Sequence, residues 1–430
     1  MGKPYIEIVA RIAHDTLLLT LVGCGSGVAG MTLALILHSV QHLSYSYSLE
    51  VIIGPESFLQ GVSAASPVRR VVVLVLCGIT AGVGWYGLRR YGRPLTSVSS
   101  ALGKDLTPMP FLETMVHGLL QMITVGMGSP LGREVAPREL GALLAQQLTK
   151  KLVISPEKSR LLVACGAGAG LAAVYDVPAA ATLFVMEVLL REFRLKVLCY
   201  AAFSCTLAAW LARTELGPNL QYSIQSFEFD QGLFLWAVII GPVIGTIGFA
   251  FSRWTKRCEA QASTGVDQVW KSVLAFAAVG LISTALPALL GNGKGPAELA
   301  FTGGLTATLA AVVITAKVVC ITLVLRAGAR GGLLTPGFSL GALLAVVFGG
   351  IVGIWFTVPS PGALAIIGAA AFLSSSMAMP VTAVLISMEF MDAPAMLFLP
   401  IVLSVAGATV ARRVVRRSIR KTPPSVVMPS

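Results

Sequence analysis

Leu140-Gly-Ala-Leu-Leu-Ala145 recurs two hundred residues later as Leu340-Gly-Ala-Leu-Leu-Ala345, and Gly132 before the first copy is matched by Gly332 before the second. Further on, Pro178-Ala-Ala-Ala-Thr-Leu-Phe-Val-Met-Glu187 aligns with Pro380-Val-Thr-Ala-Val-Leu-Ile-Ser-Met-Glu389, five of ten positions being identical at an offset of 202. One apolar hexamer can repeat by chance in an apolar chain. Two collinear matches at nearly one offset are much harder to obtain that way. The chain therefore reads as two homologous halves.

The charges flanking each copy orient the halves. Lys150-Lys151, Lys158 and Arg160 follow the first hexamer, whereas Gly349–Ala363, after the second, carries no charge. Glu187 is followed by Arg191, Arg194 and Lys196; Glu389 is followed by Asp392 and by no base before Arg412. Cytoplasmic loops are the ones enriched in Lys and Arg. Equivalent loops of the two halves thus fall on opposite sides of a membrane, and the repeat is inverted. The expected organisation is a cytoplasmic segment 1–14, a first membrane repeat 15–212, an external linker 213–231, a second, inverted repeat 232–411 and a basic cytoplasmic tail 412–430. Arg412 to Lys421 of that tail holds six basic residues and no acid.

Composition agrees. Of 430 residues, 55% are hydrophobic and 12% charged, against about 25% charged in a typical soluble domain. That density cannot solvate a soluble protein of this size, which excludes a soluble enzyme, a nucleic-acid binder and a disordered chain. The net charge of +12 sits in short clusters between apolar runs, so no nucleic-acid partner is expected. Unbroken runs such as Val346–Phe356 and Ala363–Leu373 are foreign to the alternation of a β-barrel. Lys3 and Arg11 precede the apolar run Thr16–Leu37, which reads as a span and not as a cleaved signal. Stretches near 161–190 and 363–390 are apolar but interrupted by Gly and Pro, of which there are 44 and 23 in the chain. Broken helices at membrane depth occur where they are buried or line a cavity, and they build the ion sites of inverted-repeat transporters. The expected fold class is an all-α polytopic membrane protein of inverted repeats with many broken, tilted helices. Its place is the cell membrane, multi-pass, in contact with lipid (the inner membrane for a bacterial chain).

Gly128-Ser-Pro-Leu-Gly-Arg-Glu-Val-Ala-Pro-Arg-Glu-Leu140 is a Gly- and Pro-rich break that leads into a helix. A helix N-terminus inside a membrane offers free N–H groups and about half a positive charge, an anion site without a formal cation. Glu134 at that position is an internal anion able to occupy the site or to leave it when protonated. The second half supplies Gly331-Gly-Leu-Leu-Thr-Pro-Gly337, with Leu334 in the place of Glu134. Two inverted N-termini then share one acidic plug. The competing reading of these residues is a Glu134 that pairs with Arg133 or Arg138 at a helix end. Glu139, one turn on, reads as a bystander.

Gly132-Arg133-Glu134 with Pro137 resembles the Gly-Arg-Glu-Gly-Pro segment of the CLC chloride channels and transporters. Gly331–Pro336 is similar to that family's Gly-Gly-Ile-Phe-Ala-Pro, and Pro178–Glu187 and Pro380–Glu389 to its two Pro…Glu helices. The closing Leu399–Thr409 also matches, so the likeness spans about 15–411 in the right order. It implies an inverted-repeat CLC-type fold, a homodimer with one pore per subunit, and Glu134 as external gate and proton acceptor. Gly132, Arg133, Val135, Gly332, Leu333 and Leu334 are then the anion-binding positions. The implied activity is exchange of chloride or another small anion against protons, without enzymatic turnover, cofactor or metal. The alternative is a passive anion channel of the same fold.

The departures are specific. Val135-Ala136 stands where the family has Gly-Pro, and Leu334 where its second motif has an aromatic. The serine-bearing Gly-Ser-Gly-Ile-Pro loop is not recognisable; counting back from Glu134 offers Thr96 or Ser97 in its place. Ile419–Ser425 lacks the expected tyrosine. The inner proton-transfer glutamate that often follows the position of Glu187 is Val188, which favours the channel reading and leaves Glu187 or His117 as candidate proton carriers. His117 is an intramembrane histidine, functional by default or a hydrogen-bonded core residue. His38 and His42 have i,i+4 spacing without a nearby carboxylate, too little for a metal site. A membrane-embedded enzyme would need clustered His, Asp or Ser residues, and none are seen.

Overall fold

The structure is a computed structural model that describes residues 2–46, 57–218, 221–224 and 230–421. Of the 213–231 linker, residues 219–220 and 225–229 lie outside the described residues, as do 422–430 of the tail. Before the linker come α1 (Gly2–Tyr45), α2 (Phe58–Ala64), α3 (Pro67–Tyr91), α4 (Val98–Ala101), α5 (Phe111–Gly126), α6 (Val135–Lys151), α7 (Pro156–Tyr175), α8 (Pro178–Phe184) and α9 (Leu195–Leu216). After it come α10 (Gly232–Ala260), α11 (Asp267–Ala285), α12 (Lys294–Phe301), α13 (Ala307–Arg326), α14 (Leu334–Val352), α15 (Pro361–Met377), α16 (Pro380–Glu389) and α17 (Phe398–Lys421). Among the described residues there is no β-strand, and eight helices are long and apolar enough to cross a membrane. Residues 2–14 form the first turns of α1.

The packing repeats from half to half. α1 lies on α6, α7 and α9, as α10 lies on α14, α15 and α17; α6 packs on α7 as α14 packs on α15. The halves meet where α3 crosses α11 and where α8 lies beside α16. Glycines set the closest crossings. A Cβ on Gly141 would stand 2.0 Å from the Gly166 carbonyl oxygen, and one on Gly341 would stand 2.6 Å from that of Gly368. With little hydrophobic drive between helices in lipid, such close backbone contact is what holds them together.

The apolar stretches 161–190 and 363–390 are each two helices. Asp176 and Ala378 end α7 and α15 in the left-handed region, at φ 56° and 61°. Pro178 and Pro380 then start α8 and α16 at the first helical position, where a missing N–H does no harm. α8 then packs on α7, and α16 on α15. α8 continues as a π-helical turn, Val185–Leu190.

Basic helix ends collect together. Arg11, Lys158, Arg160, Arg194 and Lys196 line one cavity of about 340 Å³, in which Asp15 is held by Lys158 and Tyr200. The Arg89 guanidinium at the end of α3 donates to the Ser263 carbonyl in the α10–α11 link (3.3 Å).

Candidate functional site: two helix N-termini and one carboxylate

The two motif glycines touch. Gly132 N–H donates to the Gly332 carbonyl (2.7 Å) and Gly332 N–H to the Gly132 carbonyl (2.8 Å), an isolated antiparallel bridge between the halves. α6 and α14 start just beyond it. Pro137 and Pro336 are the third residues of these helices, so each first turn has two N–H groups ahead of its proline. Neither helix is capped by its own preceding side chain.

Glu134 fills the space between them. It precedes α6, yet its carboxylate crosses to the other half, where Oε1 accepts from the Leu334 N–H (2.6 Å), the first amide of α14. It is 0% exposed. The glycines make the room: a Cβ on Gly332 would stand 1.8 Å from Oε1, and one on Gly132 2.1 Å from Oε2. The Tyr175 hydroxyl, 3.5 Å from Oε2, closes one side.

Neither arginine pairs with the carboxylate. Arg138 Nε donates to the Glu134 backbone carbonyl (2.8 Å) and its guanidinium lies over the Phe184 ring. Arg133 stacks on the Tyr175 ring at 4.9 Å and donates to Gln221 of the linker (3.0 Å). Its charge therefore lies over the ring whose hydroxyl closes one side of Glu134. Behind Tyr175, the rings of Tyr222, Phe301, Phe338 and Phe390 pack edge to face or tilted, with centroids 5.2 to 5.7 Å apart. Tyr222 N–H donates to the Phe390 carbonyl (3.1 Å), pinning the linker over the site.

Gly132, Glu134, Gly332 and Leu334 are thus brought together, with Val135 and Leu333 beside them at the helix starts. Thr96 and Ser97 do not join them. The Thr96 hydroxyl donates to the Pro108 carbonyl (2.9 Å), and the Ser97 hydroxyl caps the short α4 by accepting from the Ser100 N–H (3.1 Å). Both are satisfied locally, and no hydrogen bond links either to Glu134. Tyr175, Gln221 and Thr335 are site neighbours that sequence reasoning missed. The one signal for Tyr175 was its place just before the Asp176–Pro178 break.

Glu187 lies at another junction. Its carboxylate accepts from Val381 N–H (3.0 Å), Thr382 N–H (2.8 Å) and the Thr382 hydroxyl (2.7 Å) at the start of α16. Glu389 does the reverse, accepting from Ala179 and Ala180 N–H (2.9 and 2.6 Å) at the start of α8. Val188, partly buried, packs against the core. His117 is buried on α5; its Nδ1 accepts from the Trp85 indole (3.0 Å), and its Nε2 stands 3.6 Å from Glu139 Oε2.

The family described as "Voltage gated chloride channel" matches residues 77–413. A curated relative, the voltage-gated ClC-type chloride channel ClcB of Escherichia coli O17:K52:H18, is 28% identical over 308 residues, covering 70% of this chain and 73% of its own. ClcB of Shigella boydii serotype 18 is 29% identical over 314 residues with the same coverage. Among solved structures, a slow cyanobacterial Cl-/H+ antiporter superposes with a TM-score of 0.79 at 19% identity, over 95% of this chain and 98% of that one. A CLC-type fluoride/proton antiporter superposes with a TM-score of 0.69 at 22% identity, over 94% and 96%.

Proposed function

The chain belongs to the voltage-gated chloride channel family, and from that premise we propose that it exchanges chloride or a similar small anion against protons, with Glu134 as gate and proton acceptor. The observation that carries this reading is the Glu134 carboxylate on the first amide of α14. A helix N-terminus binds an anion through its free N–H groups and its dipole. Carboxylate and permeant anion compete for the same groups. Protonation removes the carboxylate's charge. A hydrogen bond to a charged group contributes about 1 to 2 kcal/mol more than a neutral one, so occupancy of the amide falls about tenfold on protonation. The anion then takes the vacated position. Loss of the proton to the opposite side returns the carboxylate and expels the anion. No covalent bond other than to hydrogen is made or broken; the role is transport, not catalysis.

The surroundings fit the task. Arg133, over the Tyr175 ring, makes the site attractive to anions. Thr335, on the first turn of α14, has a buried hydroxyl beside Tyr175 in no hydrogen bond of good geometry, and it supplies the hydroxyl that Thr96 and Ser97 do not bring to the site. Proton coupling is supported by the two antiporters of like fold. A passive channel is the second reading, favoured by Val188, which has no titratable group. Purified protein in liposomes separates them. Under a chloride gradient at equal pH, the exchanger drives protons across the membrane and its anion flux rises as pH falls; a channel does neither.

Both termini face the cytoplasm in this reading, and the linker faces out. A cysteine placed at the exposed Glu215 reacts with an impermeant thiol reagent added to intact cells, and one at Ser418 does not; the reverse pattern overturns the topology. Two subunits pair as a homodimer in contact with lipid, which a mass measurement of the detergent-solubilised protein tests.

A further inference from the structure

Glu139, partly buried on α6, faces the buried His117 of α5, their side chains 13% and 8% exposed. Its Oε2 makes no hydrogen bond of good geometry. Gln121, one turn beyond His117, lies beside the same carboxylate, with neither of its buried polar atoms in a well-formed hydrogen bond. A carboxylate at membrane depth whose neighbours are a 3.6 Å imidazole contact and one glutamine amide is a functional candidate. We propose that Glu139 is a second proton-binding site, held by His117 and Trp85, on the Lys150–Lys151 side of Glu134.

The hydrogen-bond pattern says where the proton goes. Trp85 N–H occupies His117 Nδ1 (3.0 Å). This leaves the imidazole its Nε2–H, pointing at Glu139 Oε2 at 3.6 Å. A proton arriving at the pair has no free nitrogen to take, so it binds the carboxylate. Gln121 serves both forms. Its N–H₂ donates to the ionised carboxylate, and its carbonyl accepts from the carboxylic O–H. The charges whose fields reach the pair are Arg330, just before Gly331, and Arg138 on α6. Glu113, one turn earlier on α5, is engaged by Arg93 (3.0 Å).

Five residues separate Glu139 from Glu134. At 1.5 Å and 100° per residue the two positions are about 7.5 Å apart along the axis and about 140° apart around it, so the proposal requires a short water path between them. α6 runs from Glu134 toward Lys150-Lys151, so Glu139 is on the side from which an inner proton must come. The O–H proton of Glu139 passes through that water to the Glu134 carboxylate, leaving Glu139 ionised for the next. Glu139 thereby does the work that Val188 cannot. The proposal rests on the reading of Glu134 as proton acceptor.

Chloride-driven proton uptake into liposomes tests it with two variants in parallel. Glu139→Gln is expected to lower proton uptake per chloride moved about tenfold or more, and Glu134→Ala to abolish it. Wild-type uptake in Glu139→Gln beside none in Glu134→Ala overturns the second site and leaves the gate standing. Uptake in Glu134→Ala overturns the gate and this route with it. His117 and Trp85 are positioning residues. His117→Gln, which retains an N–H donor, keeps coupling, whereas His117→Leu loses it; Trp85→Phe frees Nδ1 and shifts the pH profile. A measurement independent of transport is the infrared difference between acid and alkaline Glu134→Ala protein. It contains a protonated-carboxyl band that disappears on adding Glu139→Gln; persistence of that band overturns the proposal.

Discussion

Two of the junctions between the halves of this protein are built from the same parts, a carboxylate and a helix N-terminus, and use them differently. At the α8–α16 junction the exchange is reciprocal. Glu187 caps α16 and Glu389 caps α8, each accepting at least two N–H bonds of 3.0 Å or less. At the α6–α14 junction the glycine bridge is reciprocal but the carboxylate is not. Glu134 reaches α14, and Leu334, buried in the matching place, has nothing to return to α6. A doubly satisfied pair of caps is a clamp, because neither half gains by releasing it. A single carboxylate between two N-termini reaches only α14, and α6 receives none from the other half, which is the arrangement an exchangeable anion needs.

The largest effect that tests this contrast belongs to Glu134. Glu134→Ala removes both plug and proton acceptor. Chloride-driven proton movement is expected to fall to background, and anion flux to persist or rise without its pH dependence. Glu134→Gln imitates the protonated form. Proton coupling retained in folded Glu134→Ala protein would erase the difference between the junctions.

Next come the glycines around the carboxylate. Gly332→Ala places a Cβ 1.8 Å from Glu134 Oε1, a clash that only movement of the carboxylate relieves. Overpacking of this kind costs about 1 to 3 kcal/mol. The flux of this variant is expected to resemble that of Glu134→Gln in its weak response to pH, measured in the same liposome assay. A wild-type pH profile would mean that the position on α14 is not the gating one.

The clamp predicts equality. Glu187→Gln and Glu389→Gln each weaken charge-assisted bonds to backbone amides and are expected to cost about 1 to 3 kcal/mol apiece. The drop in melting temperature in detergent should be similar for both. Proton coupling lost in Glu187→Gln but not in Glu389→Gln would show that this junction too is functionally one-sided.

The smallest effect concerns the turns behind the clamp. Asp176 and Ala378 both hold positive φ, but only Asp176 is compensated, by Arg213 Nε at 2.7 Å. A left-handed non-glycine residue costs about 1 to 2 kcal/mol. Ala378→Gly is therefore expected to raise stability by about 1 kcal/mol, while Asp176→Gly gives no such gain because it loses the arginine. Thermal unfolding of the two variants side by side distinguishes the turns.

Much of this was readable from the chain alone. Apolar content, the two collinear repeats and the alternation of basic clusters dictate an inverted-repeat membrane bundle, since lipid forces every spanning backbone into helices and loop charge orients them. The Gly-rich break before Glu134 likewise announces a helix start at membrane depth. What the sequence could not say is where side chains from distant segments converge. Nothing in the local pattern tells that Glu134 serves α14 and not α6. Nor does it tell that Thr96 and Ser97 satisfy themselves nearby, that Glu187 is engaged by Val381 and Thr382, or that Glu139 faces His117. The first and third are choices among hydrogen-bond partners nearly two hundred residues apart, the second is a local choice over loop hydrogen bonds, and the last lies across two helix faces whose rotation is set by packing. Periodicity and composition determine which face is apolar. Only the assembled bundle determines which buried oxygen finds a donor, and which is left waiting for a proton.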